Sequence, residues 1–201
     1  MRFIVNEPSI KIKDYLVIAD LHLGIEHELL QKGIRVDQAD EIVRRIERLL
    51  KITKAKKLLI LGDVKHNVPF IKRVEEKIVP QVMRKISSMA NIFIIPGNHD
   101  GRLSDLLPSK ITVLDPRGIM IGKTLFLHGH AKQKDSKAQT VVIGHNHPLL
   151  KMKDELGAHY VEKVWVIGKH KETGQKIVLM PAFSNLVGGV YINELSSEDE
   201  L

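Results

Sequence analysis

Apolar residues along this chain fall into short runs separated by stretches of helical period. Five runs are compact and bounded by polar or turn residues: Tyr15–Ala19, Leu58–Leu61, Ile92–Ile95, Thr124–Leu127 and Val141–Ile143. They have the length of strands and lack the strict alternation of a half-exposed sheet, so they predict strands covered on both faces. Weaker runs at Phe3–Val5, Val113–Leu114, Val164–Ile167 and Ile177–Met180 predict further strands. Between the first two strong runs, Val36, Ala39, Ile42, Val43, Ile46, Leu49 and Leu50 recur at helical spacing, the pattern of an amphipathic helix. A second such stretch runs from Ile71 through Val74, Ile78, Val82 and Ile86 to Met89. Pro80 lies inside it, where the missing backbone donor should kink or divide the helix. Strands alternating with helices predict an α/β layered domain. No repeat, linker or shift of composition divides the chain. Residues 1–195 therefore read as one domain and Ser196–Leu201 (SSEDEL) as a flexible acidic tail.

Composition narrows the class. With 43% apolar and 27% charged residues, the 201-residue chain has the make-up of a globular protein large enough to bury a core. No apolar run is long enough to cross a bilayer, and the opening MRFIVNEPSIKIKDY lacks the regions of a signal peptide. A cytoplasmic protein without membrane association is the expectation. The absence of cysteine excludes disulfides and thiolate metal sites. The formal charge of +7 permits weak attraction to polyanions, but the lysines are scattered and aromatic residues make up only 4% of the chain. Solvated lysine faces account for the charge more simply than a stacking platform for single strands.

Chemistry enters at the ends of the five strong runs. The first runs into Asp20-Leu21-His22, the second into Gly62-Asp63 and the third into Pro96-Gly97-Asn98-His99-Asp100. The fourth ends at His128-Gly129-His130 and the fifth at Gly144-His145-Asn146-His147. Ligand sites of α/β sheets lie beyond the carboxyl ends of the strands, so strands sharing a sheet and a direction would bring all five clusters to one cleft. In extended backbone, residues two apart point to one side, which lets Asp20 and His22 reach one ion and His145 and His147 serve neighbouring ones. Glycines 62, 97, 129 and 144 allow sharp turns at the strand ends. Taken singly, each fragment is unspecific: Gly-Asp is a common turn, and Asn-His-Asp fits an Asx-turn. All five in this order, each closing an apolar strand, form a specific pattern.

The ordered set D-x-H, G-D, G-N-H-D, H-G-H and G-H-N-H, from Asp20 to His147, resembles the calcineurin-like metallophosphoesterases. GDVKH at 62–66, GHNHP at 144–148 and PAFSNLVGG at 181–189 are similar to a small prokaryotic, chiefly archaeal, branch related to the SbcD repair nuclease. The resemblance implies a four-layer αββα sandwich of two mixed sheets flanked by helices. It implies one ion held by Asp20, His22, Asp63 and His147, and a second by Asp63, Asn98, His128 and His145. Such oxygen and nitrogen donors suit Mn²⁺, Ni²⁺, Zn²⁺ or Fe²⁺, and the family makes Mn²⁺ the first choice. The implied activity is hydrolysis of phosphodiesters of nucleotides or nucleic acid. A hydroxide shared by the ions would attack phosphorus, and His99 would protonate the leaving group while Asp100 orients its imidazole.

Three further residues bear on substrate. Arg102 is a candidate phosphate clamp, and His130 either contacts phosphate or supports the neighbouring ligand. Many family members continue the second block as G-D-x-x-D; His66 stands at the last place here, which concerns substrate preference rather than metal binding. Pro181, Ser184 and Asn185 read as a structural loop ahead of a cleft lining. The competing expectation is a catalytically idle scaffold or protein-interaction module on the same fold. The presence of His99 and of every family ligand weighs against it. An amide hydrolase would not carry G-N-H-D after a strand.

Overall fold

The computed structural model describes residues 1–133 and 137–196. The acidic tail expected at 196–201 therefore lies, but for Ser196, outside the described residues. A first sheet contains β1 (Arg2–Phe3), β2 (Ile10–Ile12), β3 (Tyr15–Ala19), β4 (Lys57–Leu61), β5 (Asn91–Ile95) and β6 (Thr112–Val113), in that order. Strands β3 to β6 are parallel and β1 to β3 antiparallel. A second sheet contains β7 (Ile119–Ile121), β8 (Thr124–Leu127) and β9 (Thr140–Ile143). After a separate hairpin of β10 (Leu149–Lys153) and β11 (His159–Lys163), it is completed by β12 (Val166–Lys169) and β13 (Lys176–Leu179), in the order β12-β13-β9-β8-β7. Its central strands β13, β9 and β8 are parallel and both edges antiparallel, so both sheets are mixed.

Side-chain alternation decides what each face meets. Leu16, Ile18, Leu58, Ile60, Ile92 and Ile94 point to one side of the first sheet and pack under two helices. Val17, Ala19, Leu59, Leu61 and Ile95, the intervening residues, meet Phe126, Val142 and Val178 of the second sheet. A one-residue slip of β3 or β4 would exchange the two sets, so two buried faces fix the register. Each fully buried aliphatic side chain contributes about 1.5–3 kcal/mol through removal from water.

The helices are α1 (Ile25–Gln31), α2 (Gln38–Thr53) and α3 (Glu75–Ser87), with a 3₁₀ turn at Leu103–Leu106. In α2 the Asp37 carboxylate accepts the Asp40 N–H, capping the start, and Ile42, Val43, Ile46, Leu49 and Leu50 form the buried stripe. Pro80 does not divide α3. It falls early in the helix, and the carbonyl it leaves without a donor belongs to solvent-exposed Glu76. The helix also starts later than the apolar period from Ile71 predicts. Glu75 reaches back to the Lys72 N–H at 2.9 Å, as in a capping box, and residues 71–74 stay outside the regular helix.

The two mixed sheets with their helices are the α/β architecture expected from the resemblance. Helices α2 and α3 cover the first sheet, whereas among the described residues no helix covers the outer face of the second. There Leu125, Leu127 and Val141 are buried with Ala138 and flanked by Ile143 and Ile177. The β9-to-β13 connection is spent on strands instead of a helix. No helix among the described residues is long and apolar enough to cross a membrane.

Candidate metal centre

The carboxyl ends of β3, β4, β5, β8 and β9 lead into one cluster of side chains, but the local backbone is not extended as the two-residue spacing predicts. Asp20, His22, Asp63, His145 and His147 all have positive φ, between 45° and 67°. Alternate left-handed residues aim the Asp20–His22 and His145–His147 pairs inward. Such conformations cost on the order of 1–3 kcal/mol each in a non-glycine residue and persist only where the surroundings over-determine them. Here Asp20 N donates to Gly62 O (3.2 Å), His22 N to Asp63 O (2.9 Å) and Leu23 N to Val64 O (2.9 Å), which extends the β3–β4 pairing past the strands. Gly97 does not have positive φ; its need is space, because a Cβ there would overlap the Asp63 carboxylate.

Two donor groups share Asp63. Asp20, His22, Asp63 and His147 offer one ligand atom each within 4.8 Å of one another, and so do Asp63, His128 and His145. Asn98 adjoins the second group, its Oδ1 3.1 Å from His128 Nε2. A third group, His22, His66 and His99, lies alongside. The outer ring nitrogens are engaged, which turns the inner ones toward the cluster. His128 Nδ1 donates to Leu61 O at 3.0 Å and His147 Nδ1 to Gly188 O at 2.9 Å. His99 Nδ1 donates to the His66 carbonyl, leaving Nε2 3.9 Å from Asp63 Oδ2. His22 Nδ1 pairs with His66 Nδ1 at 3.3 Å, and His66 Nε2 faces Glu28 at 3.5 Å.

Electrostatics favour a cation at this place. Asp20 and Asp63 are buried, and among the described residues every ion-pair partner of either is a histidine. Burial, against the pull of the Asp63 charge and reinforced by neighbouring imidazoles, pushes His22 down to about 3, which favours the neutral ring. Against the opposing pull of burial, the Asp63 hydrogen bond and the Asp20 and Asp63 charges raise His128 to about 9. Asp63 is likewise held well below the carboxylate range by His128 although burial opposes it. Two His Nε2 atoms, of His22 and His147, face each other at 3.3 Å. Buried carboxylates and converging imidazoles without sulfur fit divalent ions of the Mn²⁺–Zn²⁺ kind.

Some residues singled out by sequence lie elsewhere. Asp100 does not reach the His99 ring. Its buried carboxylate accepts Gly97 N (2.9 Å), Val64 N (2.9 Å) and Lys65 N (3.3 Å), tying the Gly97–Asp100 loop to the one after β4. Burial pushes this carboxyl up to about 6. Arg102 is paired with Asp105 at 2.8 Å on the surface. His130 packs against His128 with ring centroids 5.3 Å apart. Ser184 and Asn185 bind Gln38 through Ser184 Oγ (2.6 Å) and Asn185 N (3.1 Å), while Phe183 N and Ser184 N donate to Ala19 O and Asp20 O. The 181–189 segment thus backs the centre, with Gly188 reaching it through a carbonyl. A separate cavity of about 700 Å³, lined among others by Glu7, Arg45, Arg48, Lys163, Trp165 and Asn185, contains none of the donor residues.

Two facing mixed sheets with an Asp–His–Asn cluster beyond their strand ends are the architecture of the metal-dependent phosphoesterases. The chain belongs to the calcineurin-like phosphoesterase family, whose model matches residues 14–190. Among curated proteins none matches the sequence. Among solved structures, the chain is similar to the Pseudomonas putida nuclease MPE, at 23% identity and a TM-score of 0.61, over 89% of this chain and 78% of that one. It also matches the E. coli phosphoesterase YfcE at 17% identity and a TM-score of 0.46, over 85% and 79% of the two chains. At 23% identity the likeness to the nuclease MPE is one of fold.

Proposed function

We propose that this protein hydrolyses phosphodiesters, of nucleotides or nucleic acid, at a centre holding two divalent ions, with Mn²⁺ the first choice among Mn²⁺, Ni²⁺, Zn²⁺ and Fe²⁺. The observation that carries the reading is Asp63 shared between two donor groups, with His99 Nε2 3.9 Å from its carboxylate. Asp20, His22, Asp63 and His147 would hold one ion, and Asp63, Asn98, His128 and His145 the other. Such ions supply an activated water and neutralise charge on phosphoryl oxygens. The chain's own part is positioning and proton transfer. In its doubly protonated form, with Nδ1–H held on the His66 carbonyl, His99 presents Nε2–H to the leaving oxygen, and that proton passes to the oxygen as the P–O bond breaks, leaving the ring neutral. Asp100 keeps the Asn98–His99 loop in place through three backbone bonds. Residues 1–195 act as one domain in this reading.

Charge favours a diester over a monoester. A monoester brings two negative charges and calls for extra cations, whereas carboxylates, imidazoles and one amide meet here and Arg102 is turned to Asp105. The test measures metal-stripped protein, with each ion restored, on bis(4-nitrophenyl) phosphate, 4-nitrophenyl phosphate and a thymidine dinucleotide. Metal-dependent turnover of the diesters is expected. His99→Ala should cost about 10²–10⁴-fold on the dinucleotide, whose alkoxide needs a proton, and less on the nitrophenyl ester, whose leaving group departs as an anion. If no ion restored turnover of any ester, the reading would fall and an idle scaffold would take its place.

A further inference from the structure

Phe70 is 76% exposed, whereas Phe126 and Phe183 are fully buried. A single exposed aromatic needs no explanation in itself; its mounting does. The loop that carries it is stapled at both ends to one buried carboxylate. Glu75 is fully buried and accepts His66 N (3.0 Å), Asn67 N (2.7 Å) and Lys72 N (2.9 Å). The ammonium of Lys65, also fully buried, donates to the Asn67 carbonyl. Residues 66–72 are thus held by interior groups although they form no strand or helix.

The same loop runs along the one that carries the proton donor. The His66 carbonyl accepts the His99 ring N–H, and the Pro69 carbonyl lies 3.8 Å from where a Cβ on Gly101 would stand. Phe70 follows directly, with the half-exposed side chain of Val68 adding apolar surface nearby. The ring is therefore carried on the loop that holds His99, the group that meets the leaving oxygen in the phosphodiesterase reading.

We propose that Phe70 is a stacking surface for the nucleobase on the leaving-group side of the scissile phosphodiester. The inference rests on the phosphodiesterase reading and names the substrate part that the site grips. A rigid phenyl face suits a flat, weakly polar partner, and every nucleobase offers such a face, so the contact adds affinity without sequence selectivity. One mounted ring serves one base, which accords with the 4% aromatic content.

The test compares a thymidine dinucleotide with two analogues in which a tetrahydrofuran unit replaces the nucleoside on the leaving side or on the other side. Wild type should favour the full dinucleotide over the leaving-side analogue by roughly tenfold in kcat/KM. That ratio should fall to near one in Phe70→Ala and return in Phe70→Trp. A ratio unaltered by Phe70→Ala, or one that appears only with the opposite-side analogue, would overturn the inference. If wild type turned over none of the three compounds, the phosphodiesterase reading would fail separately. Dissociation constants for the same ligands, from calorimetry on the Mn²⁺-loaded protein, then decide: a leaving-side preference abolished by Phe70→Ala upholds the inference, and equal affinities overturn it.

Discussion

The two sheets bring different chemistry to the centre under different constraints. The ends of β3, β4 and β5 supply both carboxylates, the amide of Asn98 and the imidazoles of His22 and His99. The ends of β8 and β9 supply imidazoles only, from His128, His145 and His147. On the first side the loops are tied to each other, by the main-chain bonds from Asp20, His22 and Leu23 and by the Asp100 carboxylate. On the second side two of the three are aimed by atoms of the first: the Leu61 carbonyl holds His128, and the Asp20 carboxylate accepts the His145 N–H at 3.2 Å. Buried negative charge is costly to desolvate, while a neutral imidazole is less so. The acids therefore sit where the backbone is most constrained, and the imidazoles complete the site from a sheet without a helix on its outer face among the described residues.

The largest expected break in this asymmetry comes from the shared acid. Asp63→Ala should lower metal affinity and diester turnover by more than about 1000-fold, since both donor groups lose a member. His145→Ala removes one donor from one group only and should cost less than Asp63→Ala, though at least the roughly 10–100-fold that follows the loss of a group supporting a ligand. Metal content and turnover read both, and equal losses would abolish the distinction. Next comes Asp100→Ala, which leaves three buried N–H groups without an acceptor and should cost about 3 kcal/mol in urea unfolding. A loss well under 1 kcal/mol would mean that the first side's loops hold without it.

The smallest effect concerns Lys163, which joins β11 to the 181–189 segment through the carbonyls of Ala182 and Ser184 and the Asn185 Oδ1. Burial, then the charge of Arg45, lowers its ammonium from 10.5 to about 8. Between these values the unfolded chain binds more protons, so stability should rise with pH from about 8 to 10.5. The gain should be on the order of 1 kcal/mol, because three acceptor oxygens favour the charged form. Lys163→Met should flatten the rise in denaturation midpoints across that range. An unchanged slope would show that Lys163 titrates as an exposed amine.

The strands that feed the centre were legible because each is a continuous apolar run, and β3 and β8 match their predicted limits residue for residue. Strands β10 and β11 were not, since the two-stranded hairpin buries Leu149 but exposes Tyr160 and Val161 and so has too little buried surface to impose a pattern. The short α1 likewise buries only Ile25. At the site, the residue types that converge were readable, but not how Asp100 and Arg102 are spent. Each is satisfied by a neighbour whose proximity depends on how the loops cross.

By itself, the sequence determined the α/β class, the order of the strand-end clusters and the kinds of donor they carry. Those follow from local patterns: apolar runs, glycines and ligand-type side chains in sequence. Only the tertiary structure decided the left-handed backbone at Asp20, His22, Asp63, His145 and His147, the carbonyls of His66 and Gly188 as partners for His99 and His147, and the fixed loop that presents Phe70. Backbone carbonyls carry no residue signature, and a residue's φ is set by the hydrogen bonds and packing of distant segments as much as by its own side chain.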